Sequence, residues 1–318
     1  MKRKSSGINA LIGINKPVGV SSHDVVNAVR RQLGESRVGH AGTLDPLASG
    51  VLIIGVGQAT RLLGYITAES KSYRVTVAFG RQTSTGDAEG PTTGTAPVFA
   101  ELSDLDFARE QMNLLLQMTQ QVPPSYSAVH VDGKRAYALA RNGENVILEP
   151  RDIHIYEANM LEVGVNALGE PEWTFDTVVS KGTYMRTLAS DLAGKLGTMG
   201  YVSSLCRTAS GTVTLADCIT VDEVQNAVLQ KGSYLNPLEV LNRPILVLNS
   251  QEVANVLQGK RLSASKTCDA KALAFTNNTL FALVNDTKLF ALAERCEGAL
   301  VLQCVFPDGI DGCLWEEL

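Results

Sequence analysis

The chain has 318 residues, 45% of them hydrophobic and 19% charged, which suits a folded globular protein with one large domain and a small one. No apolar run is long enough to cross a bilayer and no secretory apolar segment follows MKRKSSG, so a cytoplasmic location is expected. The net charge of −5 argues weakly against a nucleic-acid partner, but residues 1–75 carry ten Lys/Arg against four Asp/Glu, a local excess that suits a polyanion.

In chain order, LIGIN (11–15) predicts a short strand and Lys16-Pro17-Val18-Gly19 a turn. Ser21 or Ser22 can cap a helix reaching about Leu33, with Val25, Val26 and Val29 on one face. GHAGTLDPLASGVLIIG (39–55) predicts a turn followed by a buried strand. Its one carboxylate, Asp45, stands among Gly39, Ala41, Gly42, Thr43, Ala48, Ser49 and Gly50. Asp-Pro often opens a turn, so Asp45 reads either as a cap or as a functional acid whose small neighbours admit a large ligand.

Residues 58–65 suggest a helical turn, SYRVTVAFG a strand, and 81–97 a polar loop rich in Gly, Thr and Pro. An amphipathic helix is expected over 104–118, and the second half of QVPPSYSAVHVDGKRAYALARNGE has helical spacing with several basic groups. Strands are expected over 153–163 and 173–180. TYMRTLASDLAGKLG then predicts a helix on which Tyr184, Leu188 and Asp191 share a face and Arg186 lies elsewhere. Arg186 is either solvated or turned toward a carboxylate that it would keep ionised. A boundary near 240–247 introduces a small unit with strand-like runs at 280–284, 288–293 and 299–306.

The six cysteines (Cys206, Cys218, Cys268, Cys296, Cys304 and Cys313) form no CxxC and no zinc-type Cys/His spacing, and read as reduced thiols. Four histidines, His23, His40, His130 and His154, argue against a His-rich metal site. The glycine pair Gly55-Val56-Gly57 lacks the third glycine of a dinucleotide fingerprint. His40 and Asp45 match a His-(four residues)-Asp pattern in which His would act as general base and Asp would orient it, as in some acyltransferases. Tyr73, between Lys71-Ser72 and Arg74, is either a structural strand tyrosine or a ring that stacks on an unpaired RNA base.

Five segments in order, NKPVGVSS (15–22), VGHAGTLDPLASGVL (38–52), KSYRV (71–75), PPSYSAVHVDGKRAYALAR (123–141) and VSKGTYMRTLASDL (179–192), resemble the TruB-type tRNA pseudouridine-55 synthase family over about residues 9–215. The resemblance implies an α+β pseudouridine-synthase fold, a mixed and largely antiparallel sheet with flanking helices. The expected organisation is a catalytic domain over 1–240, with an RNA-clamping insertion at about 123–151, and a small β-rich PUA-like RNA-binding domain over 245–318. It implies isomerisation of uridine 55 in the tRNA T-loop with base flipping, without cofactor or metal, by a monomer needing no protein partner or membrane.

By the same carry-over Asp45 is the nucleophile, Arg186 its ion-pair partner, and Tyr73 the ring that packs on the uracil and moves a proton at C5. Tyr184 and Leu205 line the pocket, His40 fills the gap left by the flipped base, and Lys16 supports the strand-turn packing beneath. Lys134, Arg135, Arg141 and Lys181 are expected near the RNA backbone. Where the family has two arginines after the leucine and a further one beyond, this chain reads Leu205-Cys206-Arg207-Thr208-Ala209, so basic positions are missing at 206 and 209. His130 replaces a common lysine. Two other readings stand beside this one: an RNA-binding or tRNA-folding protein with incidental catalysis, and a His-Asp acyltransferase.

Overall fold

The computed structural model describes residues 5–66, 70–124, 130–131, 134–135, 148–229, 233–260, 262–263, 277–296 and 299–314. The chain opens with β1 (Ala10–Lys16), then α1 (Ser22–Leu33), β2 (Val38–Ala41) and β3 (Ser49–Val56). A 3₁₀ turn over Gly57–Leu62 and the short α2 (Leu63–Ile66) lead to β4 (Lys71–Phe79). Next come the hairpin strands β5 (Arg81–Thr83) and β6 (Thr92–Thr95), then α3 (Leu105–Leu116). Short strands β7 (Gln120–Gln121), β8 (His130–Val131), β9 (Lys134–Arg135) and β10 (Arg151–Asp152) precede the long β11 (Ile155–Val165) and β12 (Pro171–Val179).

After α4 (Met185–Lys195) and β13 (Gly200–Ser210) come β14 (Val213–Thr214), β15 (Cys218–Ile219), α5 (Val224–Leu229), β16 (Tyr234–Leu235) and α6 (Pro237–Leu241). The last stretch holds β17 (Ile245–Val247), α7 (Ser250–Leu257), β18 (Leu262–Ser263), β19 (Leu280–Asn285), β20 (Lys288–Cys296) and β21 (Ala299–Asp311).

The large sheet runs β11-β12-β4-β13-β3-β1-β15, with β2 beside β3, β14 beside β13 and β16 beside β1. Its pairings are antiparallel except β13 with β3 and β1 with β15. The expected α+β class with a mixed, mostly antiparallel sheet is what the chain forms. The later sheet runs β17-β19-β20-β21-β18.

Local chemistry explains the elements that frame the site. Ser21 caps α1 and makes a reciprocal box with Asp24, while Gly34 ends the helix at φ 60°. Val25, Val26 and Val29 bury its inner face, as expected from their spacing. VLIIGV is buried throughout because β3 lies inside the sheet and is covered on both faces.

On one face of the large sheet, Ile12, Leu52, Val75 and Trp173 pack with residues of α1, α3, α4 and α5. On the other, Leu11, Val51 and Ile53 share a core with Val284, Leu289 and Phe306 of the later sheet. The later sheet buries a second core, including Phe281 and Leu283, against Val256 of α7. The layers therefore run helices, large sheet, small sheet, helix.

Three sequence expectations need correction. The 81–97 stretch is not purely loop, because β5 and β6 pair and Asp87 inside it is buried. Tyr184 precedes α4 as its N-cap instead of lying on a helix face, and Arg186 is buried. The helical spacing in the second half of QVPPSYSAVHVDGKRAYALARNGE falls mostly on residues outside the described ones, and 134–135, near its start, pair as a strand with 130–131.

Candidate active site

The segment between β2 and β3 carries Asp45, and its backbone is tied down on several sides. Ala48 N–H donates to Asp45 O at 3.1 Å and Gly19 N–H to Pro46 O at 2.8 Å. The buried Ser22 hydroxyl donates to Leu44 O at 3.0 Å and accepts from Leu44 N–H at 2.8 Å. Lys16, fully buried, donates to Pro17 O, Val20 O and Pro46 O at 2.9, 2.7 and 3.4 Å. Gly50, at φ 104°, meets β13 so closely that a Cβ there would lie 2.2 Å from Arg207 O.

With the backbone making the turn, the Asp45 carboxylate is free for another task. Arg186 Nε lies 2.9 Å from its Oδ2 and Nη2 lies 3.4 Å from Oδ1, a two-pronged contact. The Arg186 side chain is 8% exposed and that of Asp45 37%, so the acid presents an open edge while its partner is sealed. Arg186 also donates from Nη1 to Thr85 O at 3.0 Å, and its Nε is 4.0 Å from Asp87 Oδ2. The loop carrying Asp87 is hung on β13 by Ala88 N–H to Val202 O and Val202 N–H to Gly86 O, both 3.0 Å.

Protein surrounding the carboxyl pushes the Asp45 pKa above its ordinary value; Arg186 and Lys16 pull it back, and Asp87 pushes it further up. Burial lowers the Lys16 amine to about 8, against the opposing pull of Asp45 and Glu89. His40, half-buried on β2 opposite Ile54, is shifted down by burial and then by the charge of Arg207. Its Nδ1 is buried without a hydrogen-bond partner, and Asp45 is not bonded to it. A base-and-orienter dyad of the acyltransferase kind is therefore not formed.

Tyr73 and Leu205 lie on the adjacent strands β4 and β13, 7% and 6% exposed, in the same core cluster as Leu44. The register sets Tyr73 against Arg207 and Leu205 against Val75. Tyr184 is half-buried two residues before Arg186. Its N–H donates to Gln121 Oε1 at 2.8 Å, and its carbonyl accepts from Gln121 Nε2 at 2.9 Å. Lys181 is exposed in the turn leading to α4. Of the other expected backbone contacts, Lys134 and Arg135 form β9, and Arg141 lies outside the described residues.

Two residues of this neighbourhood escape the sequence, Asp87 and Gln121, and two others, Ser22 and Arg207, show there without their roles. Asp87 sits in a stretch that reads as solvated loop, nothing local marks Gln121, and Ser22 reads only as a candidate cap. Arg207 did stand out as the one arginine kept after Leu205, but burial at 1% exposure removes it from any RNA-facing surface. Among the described residues no group of three or more His, Cys, Asp and Glu is placed to hold a metal.

Comparison with known proteins gives consistent matches. Residues 30–185 match the family model described as TruB family pseudouridylate synthase (N terminal domain). Residues 186–245 match the one described as tRNA pseudouridylate synthase B C-terminal domain. A tRNA pseudouridine synthase B of Thermobifida fusca (strain YX) is 38% identical over 296 residues, 92% of this chain and 96% of that one. The like-named protein of Rhodospirillum rubrum is 38% identical over 310 residues, covering 94% and 96%. Among solved structures, a Cbf5-Nop10-Gar1 complex aligns with TM-score 0.66 at 22% identity over 94% of this chain and 84% of that chain, a likeness of fold.

Proposed function

Because the chain belongs to the TruB family and is a tRNA pseudouridine synthase, we propose that its target is uridine 55 in the T-loop and that Asp45 is the nucleophile. The observation that carries this reading is the Asp45–Arg186 pair, a half-open carboxylate on a buried guanidinium, set in a loop stripped of bulky side chains.

In this reading the T-arm docks and uridine 55 leaves its stack, at a cost of about a few kcal/mol. Asp45 attacks the nucleoside, at ribose C1′ or uracil C6, and the N1–C1′ bond breaks. The uracil turns and C5 bonds to C1′; the bond to Asp45 breaks, displaced by C5 if it was made at C1′ or lost by elimination if it was made at C6, and as the C5 proton departs and N1 gains one the composition is unchanged. Either site of attack requires ionised Asp45. The contact with Arg186 supports that state while water is displaced by the base.

Tyr73 packs on the uracil and moves the C5 proton, Tyr184 and Leu205 wall the pocket, and His40 fills the vacated stack. A His40 ring kept neutral by burial and by Arg207 suits stacking between bases. Lys181 and the 123–151 insertion, with Lys134, Arg135 and Arg141, approach phosphates. Residues 1–240 supply the chemistry and residues 245–318 act as a PUA-like RNA-binding module, in a cytoplasmic monomer.

The test is incubation of purified protein with an unmodified tRNA transcript, followed by mapping of pseudouridine. Product at position 55 is expected from the wild type and none from Asp45→Asn, which should still bind tRNA. An Asp45→Asn protein that formed product at the normal rate would remove Asp45 as nucleophile. Product at another uridine would overturn the target.

A further inference from the structure

Arg207 is among the largest side chains with under 2% exposure, and no carboxylate among the described residues forms an ion pair with it. A guanidinium stays protonated at any physiological pH, so this is a permanent charge placed in the interior. Charges without a carboxylate partner are seldom kept inside a protein unless they perform a task.

Its contacts show where the charge is directed. Nε donates to Val51 O at 2.7 Å and Nη2 to Gly42 O at 3.0 Å. Gly42 and Val51 bracket the segment that carries Asp45, so one planar group spans both ends of that loop. The backbone of Arg207 adds a second bracket. It is registered against Gly50 on one side, where no Cβ would fit, and against Tyr73 on the other. At Gly42, φ is 80°, a backbone conformation that glycine adopts without strain, so the direction in which the Gly42 carbonyl faces Nη2 depends on glycine.

We propose that Arg207 is a positioning residue of the reaction: it staples the Asp45 loop shut so that the carboxylate meets Arg186 in the two-pronged geometry. The proposal rests on the reading of Asp45 as nucleophile. Replacing the fork by Lys keeps the charge but leaves one of the two carbonyls unbonded, and Met loses both bonds and the charge. With the loop slack, Asp45 drifts from Arg186, and its acidity shifts toward that of an unpaired, enclosed carboxyl.

The test measures single-turnover pseudouridine formation with enzyme in saturating excess, tRNA affinity, thermal midpoint and the pH profile of the rate. Arg207→Met should slow turnover by about 10²-fold and Arg207→Lys by about 10-fold, with tRNA affinity unchanged within about twofold. The acid limb should move to higher pH in Arg207→Met. Gly42→Ala, which strains the backbone at the carbonyl that the same guanidinium holds, should also slow turnover, and its combination with Arg207→Lys should be less than multiplicative.

A purely structural arginine would lower the midpoint and the active fraction, yet leave the rate per folded molecule and the pH profile as in wild type. That outcome overturns the proposal, as does a loss confined to tRNA affinity. If Arg207→Met does not fold, the Gly42→Ala and Arg207→Lys cycle decides, and additivity there counts against the staple. Asp45→Asn is run alongside: normal turnover by that variant sinks the nucleophile reading, whatever Arg207 does.

Discussion

At Asp45 two influences oppose each other. The enclosing protein favours the protonated acid and Arg186 favours the carboxylate, while Asp87, beyond the guanidinium, works against ionisation. The proposed attack needs the carboxylate, and a raised pKa leaves less of it as pH falls, so the acid limb of activity should lie above the ordinary aspartate value. Removing Asp87's charge in Asp87→Asn should move that limb to lower pH. Removing the cation in Arg186→Met should move it to higher pH and depress the rate at neutral pH. Single-turnover rates across pH 4–8, roughly the range where such carboxyls titrate, would check both, and shifts of the same sign would refute the pairing. Asp45 itself was visible in the sequence because a lone acid among small residues is unusual. Asp87 is hidden because β13 and Arg186, on which its loop packs, lie far along the chain.

Among the elements, α1 does two jobs with adjacent serines. Ser21 caps the helix through the box with Asp24, whereas Ser22 bonds the backbone of Leu44 beside Asp45. Ser21→Ala should therefore cost about 1 kcal/mol of stability and leave turnover near normal. Ser22→Ala should slow turnover by about tenfold, because the loop loses a bond beside Asp45. Denaturant midpoints and single-turnover rates would separate the two, and equal effects on turnover would refute the division.

Helix α1 and strand β3 were legible because caps and apolar spacing are written locally. Strand β13 is not legible: YVSSLCRTAS has no clean alternation, and it becomes a strand because β4 and β3 offer open edges on either side. The β5–β6 hairpin was lost for a related reason, its Thr and Gly residues carrying loop chemistry while pairing across a short gap.

Across the whole molecule, the two sheets share one core. Phe306 is fully buried there with Leu11, Val51 and Ile53, and Asp311 N–H donates to Asn9 O at 2.9 Å. Gln58 reaches Asp308, and Arg61 lies 5.7 Å from the Phe306 ring centre. Phe306→Ala should cost about 3–5 kcal/mol and loosen both sheets together. Amide exchange against denaturant would show protection falling at one concentration in β3 and in β20; separate transitions would mean that the sheets melt independently.

The sheet order also bears on synthesis at the ribosome. Strand β13 is threaded between β3 and β4 although more than a hundred residues of chain separate it from either. Strands β3 and β4 thus leave the exit tunnel long before the strand that joins them, and pairings this remote in sequence form late. Until residue 210 is out, Arg207 is missing from the Asp45 loop and Tyr73 has no neighbour on that side. A growing or prematurely released chain therefore carries Asp45, the proposed nucleophile, in an unassembled loop, and on that proposal tRNA meets a competent enzyme only once translation has passed that strand.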